Sequence, residues 1–318
     1  MRVLVCGGTG FVGSALVPML RERQHDVFVL SRKPAPPPTV AASGAKGVRG
    51  DLLAPESLSS LQAGSVDAIV LLAAPRIFGK RLGERRFQQL KAEITAIYAN
   101  ALALARRLGC PIVITAGTSF RTTGDQVADE TWPILRVGAP RIGEDIDPLV
   151  DQAVAAGSPK LVWLLPGQIY GPGGMFLELV KMAQKGRAAI FGDGGNLIPR
   201  IHVQDCAAAY LAALEHLGEL KTGERFIVAD DVACTAREFA ELLASLLRAP
   251  RPKPAPSFIV KLVVGKLLFE TMTMSCRVSN AKAKRTLGWA PRYPSFREGL
   301  PPTVEAILRA QREGLAVP

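Results

Sequence analysis

The chain opens on a short apolar run, Val3-Leu4-Val5-Cys6. It continues through Gly7-Gly8-Thr9-Gly10-Phe11-Val12-Gly13 into an amphipathic stretch over 14–23. This order reads as a strand, a glycine turn and a helix, a unit that brings backbone N–H groups and the positive end of a helix up to an anion. The first glycines permit the tight turn and a close approach to a pyrophosphate, and the last lets the helix pack on the strand. The spacing is G-x-x-G-x-x-G rather than the commoner G-x-G-x-x-G. The reading therefore rests on the flanking strand and helix as much as on the glycines. Gly7, Thr9, Gly10, Phe11, Val12 and Gly13 are expected to cradle a dinucleotide. A branched side chain at Gly10 should block the pyrophosphate and strain the turn.

The second strand, 26–30, ends in Ser31-Arg32-Lys33, and no Asp or Glu occurs between Val27 and Gly50. A carboxylate at that place would hydrogen-bond a ribose 2′-hydroxyl and repel a 2′-phosphate, whereas an Arg favours the phosphate. Ser31, Arg32 and Lys33 are thus expected to select NADP(H). The proline-rich 34–38 stretch reads as a stiff extended loop that ends the strand.

Strand and helix signals then alternate. Apolar runs at 67–72, 111–115 and 160–165 read as buried strands, and a long helix over 84–108 stops at Gly109. Alternation of this kind implies a Rossmann-type, doubly wound parallel α/β sheet with right-handed crossovers. Ligands in such sheets sit beyond the carboxyl ends of the strands, which gathers the loops after Cys6, Leu30, Leu72, Thr115 and Leu165 around one crevice. Residues 1–165 are expected to form the nucleotide domain. Residues 166–318 form a smaller substrate lobe, with about 200–217 packing back on the sheet.

Composition narrows the partners. The formal charge of +11 favours acidic ligands, phosphorylated cofactors included. The basic cluster Arg76, Lys80, Arg81, Arg85 and Arg86 holds a single aromatic residue, Phe78, short of the interleaved stacking platforms that nucleic acid requires, which argues against nucleic acid. Five scattered cysteines without C-x-x-C, and three dispersed histidines, suit a reducing compartment and give no metal site. The chain enters a strand without a basic leader, so a cytoplasmic location is expected. The oily 258–269 stretch is interrupted by Lys261 and Lys266, and reads as a cap helix over a substrate cavity rather than a membrane partner.

Six marks along nearly the whole chain resemble the extended short-chain dehydrogenase/reductase family, the class of sugar-nucleotide epimerases and dehydratases. They are the 7–13 turn, Gly50-Asp51-Leu52, the apolar strand ending Ala73-Ala74, Pro166-Gly167-Gln168-Ile169-Tyr170-Gly171-Pro172, the 201–205 segment and Leu287-Gly288-Trp289. The resemblance implies that Asp51, beside Leu52, bonds the adenine amino group. It also implies that Ala73 and Ala74 present backbone to the ribose side, and that Pro166 and Gln168 belong to the cofactor site. It allows a homodimer through helices at 84–108 and around 148–156.

The family's catalytic set is missing. Members carry a Ser or Thr after the fifth strand and a Tyr-x-x-x-Lys on the next helix, where the lysine lowers the phenol pKa for proton transfer. Here Ala116 stands at the serine position, Val137 at the tyrosine and Arg141 at the lysine, and no tyrosine lies between Tyr98 and Tyr170. Arg141 can hold a ribose hydroxyl or phosphate but is a poor proton donor. Thr115, Thr118, Ser119, Tyr98, Asp129 and Glu130 are candidate replacements. Three functions stay open: an atypical NADP(H)-dependent reductase acting on a small, apolar substrate with another proton donor; an inactive NADP-binding regulatory or assembly protein; and a sugar-nucleotide epimerase or dehydratase.

Overall fold

Side chains alternate between the two faces of a strand, so a strand apolar at every position must be covered on both sides. That condition is met throughout the centre of the protein. The computed structural model describes residues 1–33, 38–75 and 82–315. The 34–37 part of the proline loop, and Arg76, Lys80 and Arg81 of the basic cluster, lie outside the described residues. Seven strands, β1 (Arg2–Cys6), β2 (Asp26–Ser31), β3 (Lys46–Arg49), β4 (Ala68–Leu71), β5 (Ile112–Thr115), β6 (Leu161–Pro166) and β7 (Glu224–Val228), form one sheet in the order β7-β6-β5-β4-β1-β2-β3. All pairs are parallel.

The two faces divide residue by residue. Val3, Val5, Val70, Val113 and Val162 enter one core beneath helices Phe11–Glu22 and Val203–Glu215. Leu4, Cys6, Ile69, Ile114 and Trp163 enter the other, beneath Glu84–Leu108 and Gly143–Ala155. The chain builds outward from β1 to β3, then crosses back to β4 and builds the other way. Strand order therefore reverses between β1 and β4, and a crevice opens at their carboxyl ends.

Several expected elements shift. Helix Glu84–Leu108 ends as the sequence predicts, with Gly109 left-handed at φ 69° satisfying the last turn. The proline loop is already helical at Pro38, in Pro38–Ala42. The segment from Glu224, expected within the 166–318 substrate lobe, is the sheet's edge strand, and Glu130 Oε1 accepts its Ile227 N–H at 2.8 Å. Residues 258–269 form two helices, Ser257–Val264 and Lys266–Met272, separated by Gly265 at φ +90°.

A second, smaller core lies under helices Gly174–Gln184, Ala236–Leu246 and Phe296–Glu313, where Tyr170, Phe176, Phe239 and Phe296 meet edge to face or tilted. Asp205 joins this lobe to the sheet. Its carboxylate accepts the N–H groups of Arg292 and Tyr293 at 2.8 and 3.0 Å, and its carbonyl accepts Trp289 Nε1 at 3.0 Å.

A Cβ at Gly13 would lie 2.3 Å from Gly7 O and 2.5 Å from Gly8 Cα, with backbone on both sides. Gly13→Ala is expected to force the helix off the turn and cost about 1–3 kcal/mol, lowering the urea midpoint at constant m. At Gly10 the nearest atom to a new Cβ is Gly7 O at 3.1 Å, so Gly10→Ala should cost less.

Candidate active site

The glycine turn ends β1 at the reversal point. Gly7 takes φ +95°, and a Cβ there would lie 2.6 Å from Ala73 N, so the turn and the loop after β4 touch backbone to backbone. Gly10 N–H donates to Gly7 O at 2.9 Å. Gly10 itself is unstrained, with φ −84° and ψ −179°, which corrects the expectation that a side chain there would strain the turn. Its importance lies in its exposure, since any side chain would project where a ligand approaches. Among the described residues no side chain caps helix Phe11–Glu22, and its first turn holds no carboxylate. The leading N–H groups, those of Phe11, Val12 and Gly13, are therefore left for an anion. The Phe11 ring turns away to the second lobe, against Gly171 and Gly174.

The other cofactor candidates line the same sheet edge. Ser31 ends β2; its Oγ accepts Lys33 N at 3.1 Å and its carbonyl accepts Gly50 N at 3.0 Å, and Arg32 and Lys33 are exposed. Asp51 turns its own loop, with Oδ1 accepting Leu53 N at 2.9 Å. Leu52 is buried, and its carbonyl accepts Asn100 Nδ2 at 2.6 Å. Ala73 is half-buried and Ala74 exposed. Pro166 ends β6, where its carbonyl accepts Thr118 N at 3.2 Å, and Gln168 Oε1 accepts Arg200 Nη1. These residues fit a dinucleotide: glycines where backbone must approach, an open helix end, and cations without a carboxylate at the end of β2.

The proton-donor candidates are dispersed. Thr115 Oγ1 donates to Leu71 O at 2.8 Å and lies 2.6 Å from Tyr210 Oη, so its hydroxyl is engaged on both sides. Tyr98 is buried, donates to the Thr115 carbonyl, and burial pushes its phenol further up. Ser119 is buried and donates to Leu135 O at 2.6 Å. Glu130 is half-buried, held on β7 and pushed up by burial. Asp129 is exposed, and bonds from Thr131 hold its carboxyl down. Thr118 is half-buried beside Pro166.

Val137 and Arg141 do not share an α-helix, contrary to expectation. Gly138, at φ 68° and ψ −138°, breaks the chain between them, and Ala139–Ile142 is a 3₁₀ turn carrying Pro140. A Cβ at Gly138 would lie 2.5 Å from Thr271 Oγ1, and Ala139 N donates to that hydroxyl at 2.8 Å. Helix Lys266–Met272 is therefore docked on the segment that the resemblance aligns with Tyr-x-x-x-Lys.

Two cavities flank that contact. One, of about 410 Å³, is bounded by Arg121, Thr122, Thr123, Val137, Glu270 and Met274 among others. The second, of about 300 Å³, is bounded by Leu82, Glu84, Arg141, Lys266, Leu267 and Glu270 among others. Arg141 is half-occupied there, 3.8 Å from Glu84, 3.7 Å from Glu144 and over the Phe87 ring. Glu270 is common to both walls, and sequence reasoning missed it. Nothing local marks it; it reaches the site because its helix folds back over 130 residues of chain.

A buried polar cluster lies behind Gln168. Arg200 stacks on the Phe239 ring at 3.4 Å, and Asp230 N donates to Arg200 O at 2.6 Å. Asp230 Oδ2 accepts a long bond from Tyr170 Oη at 3.4 Å, and Oδ1 has no hydrogen-bond partner among the described residues. Burial, reinforced by the Asp205 carboxylate, pushes Asp230 up to about 8.

The family profile described as NAD dependent epimerase/dehydratase matches residues 3–132 and 146–229. A Streptomyces protein named 3-diazoavenalumate denitrifying reductase is 30% identical, aligning 94% of this chain with 99% of its own length. A 2-alkyl-3-oxoalkanoate reductase of Stenotrophomonas maltophilia is 28% identical, over 94% of this chain and 97% of its own. The crystal structure of human epimerase family protein SDR39U1 with NADPH superposes with a TM-score of 0.77 at 24% identity, covering 96% of this chain and 99% of that one.

The Asp230 carboxyl gives a pH signature. Unfolded, it ionises near its ordinary value of 3.8; folded, it keeps its proton up to about 8. Between those values the folded state binds more protons, so stability falls as pH rises from about 4 to about 8, and the fall ends above that. Asp230→Asn should remove this component. In urea titrations, wild type should lose on the order of 2–4 kcal/mol more than the variant between pH 5 and 8.

Proposed function

The chain belongs to the NAD dependent epimerase/dehydratase family, within the extended short-chain dehydrogenases/reductases. On that premise we propose that it is an NADP(H)-dependent reductase of a small, largely apolar carbonyl or related substrate, with Glu270 as proton donor. The carrying observation is that Val137, which the resemblance aligns with the family's tyrosine, lines a cavity that Glu270 also lines. The two reductase-named relatives support the reaction class. Exposed Arg32 and Lys33 at the end of β2, with no acid before Gly50, support NADP(H) over NAD(H).

Gly7, Gly10 and Gly13 would admit the pyrophosphate, Arg32 and Lys33 would pair with the 2′-phosphate, and Ala73, Ala74 and Gln168 would flank the nicotinamide half. NADPH, when bound, supplies a hydride. The protein must then deliver one proton to the substrate oxygen. Thr115, Tyr98, Ser119 and Glu130 are tied to backbone or buried, whereas Glu270 lines the cavity. Arg141, on the adjoining wall, can orient an anionic group of the substrate through its planar donors. Leu267, Met274 and Val137 exclude water from the reacting oxygen. Reversible oxidation of a sugar hydroxyl fits less well, because it requires the phenolate–lysine pair replaced here by Val137 and Arg141.

Two measurements test this reading. Titration calorimetry of Arg32→Ala should show NADPH affinity reduced about tenfold or more with NADH almost unchanged, the loss of one charge-assisted contact. Equal losses for both cofactors would remove Arg32 as the selector. NADPH consumption should be followed over a panel of 3-oxo acids, enones and imines. Glu270→Gln should lower kcat by about 100-fold or more while leaving NADPH affinity intact. Tight NADPH binding without turnover on any of these would instead identify a regulatory NADP-binding protein.

A further inference from the structure

Helix Ser257–Val264 turns its apolar side outward. Phe258 is 73% exposed, Leu262 68%, Val263 64% and Ile259 44%, while Val260 alone of its residues is fully buried. Phe258 and Leu262, and Ile259 and Val263, are four residues apart and form one stripe. A contiguous exposed stripe of large apolar side chains marks an interaction surface rather than ordinary scatter. The sequence reading makes this segment a cap over the substrate cavity with no membrane partner. Only its second half behaves as a cap: Lys266–Met272 buries Leu267 and Leu268 and walls both cavities.

Lysines flank the stripe in the chain. Lys253, Lys261 and Lys266 are all exposed, and Lys261 Nζ lies 4.9 Å from the Phe269 ring centroid. The two helices hold one carboxylate, Glu270, 3.8 Å from Lys266. The helix is also held rigidly. Leu82 N donates to Val264 O at 3.2 Å, and Gly265 at φ +90° sits against Leu82, where a Cβ would lie 2.6 Å from its carbonyl. An apolar stripe bordered by lysines has the pattern of a helix lying in the headgroup plane of a bilayer. A second copy of the chain fits less well, because an isologous contact through this stripe would bring the lysines of both copies together.

We propose that helix Ser257–Val264 docks the protein on an anionic lipid surface, its apolar stripe at the acyl boundary and its lysines against the phosphates. Among the described residues no helix is long and apolar enough to cross a membrane, so the contact is peripheral. The cavity bounded by Gly265 and Lys266 would then open beside the bilayer, within reach of an amphiphilic substrate. Docking itself requires no particular reaction.

Cosedimentation with vesicles tests this. Wild-type protein should pellet with phosphatidylcholine vesicles containing about 30% phosphatidylglycerol, and about tenfold less with phosphatidylcholine alone or in about 0.5 M salt. Phe258→Ser with Leu262→Ser should reduce binding at least about tenfold, with circular dichroism and melting unchanged. Lys253→Gln with Lys261→Gln should remove most of the preference for anionic vesicles. Absence of wild-type binding, equal binding to both vesicles, or full binding by the serine variant would overturn the proposal. So would a wild-type dimer in sedimentation equilibrium that the serine pair dissolves while vesicle binding is absent.

Discussion

The contact on which the rest depends is the backbone approach at the end of β1. Gly7 meets the main chain of Ala73, and Gly13 sits on Gly7 and Gly8, with no room for a Cβ at either place. This contact sets how deeply helix Phe11–Glu22 lies on the sheet, and so the direction of its open amino end. It also joins the two halves of the sheet at the point where strand order reverses. The crevice exists because β1 is flanked by β2 on one side and β4 on the other, and the loops of both diverge there.

From that crevice outward, the protein keeps the family's frame but not the helix that the resemblance expects at 137–141. The tyrosine and lysine positions are separated by a left-handed glycine and a 3₁₀ turn, so they cannot act as an i, i+4 pair. Thr271 and Leu267 fill the space against Gly138. The docking of Lys266–Met272 depends on that glycine: a larger residue at 138 would push the helix away. Glu270 rides on the docked helix, which is how it comes to line the same cavity as Val137.

The second lobe shows how polar groups are used away from the crevice. Asp205 collects two backbone donors and a tryptophan, which fixes the Leu287-Gly288-Trp289 segment to the sheet helix. Asp230 is less completely served, with one long bond from Tyr170 and an unpartnered oxygen, and burial keeps its proton. His202 nearby is pushed down to about 4 by burial and bonds Thr303, so it lies neutral within the aromatic cluster. Desolvation thus selects the uncharged form of an acid and a base within the same seam.

What the sequence determined by itself follows from local and periodic signals. Continuous apolar runs at 3–6 in β1, across β4, at 112–114 in β5 and across β6 required a two-sided parallel sheet, and Gly109 marked the end of the long helix. The Gly7–Gly13 turn and the missing Tyr-x-x-x-Lys were legible because each is contiguous in the chain. Hydrophobicity alone did not say which way the 258–269 segment faces. The same oily residues suit a buried cap or an exposed stripe, and only Gly265, braced on Leu82, decides that the chain does both. Nor could any local pattern show that Thr115 is engaged by Tyr210, that Glu130 accepts an N–H of β7, or that Glu270 and Val137 line one cavity. These residues are 95, 97 and 133 positions apart in the chain, and tertiary packing rather than propensity brings them together in the folded protein.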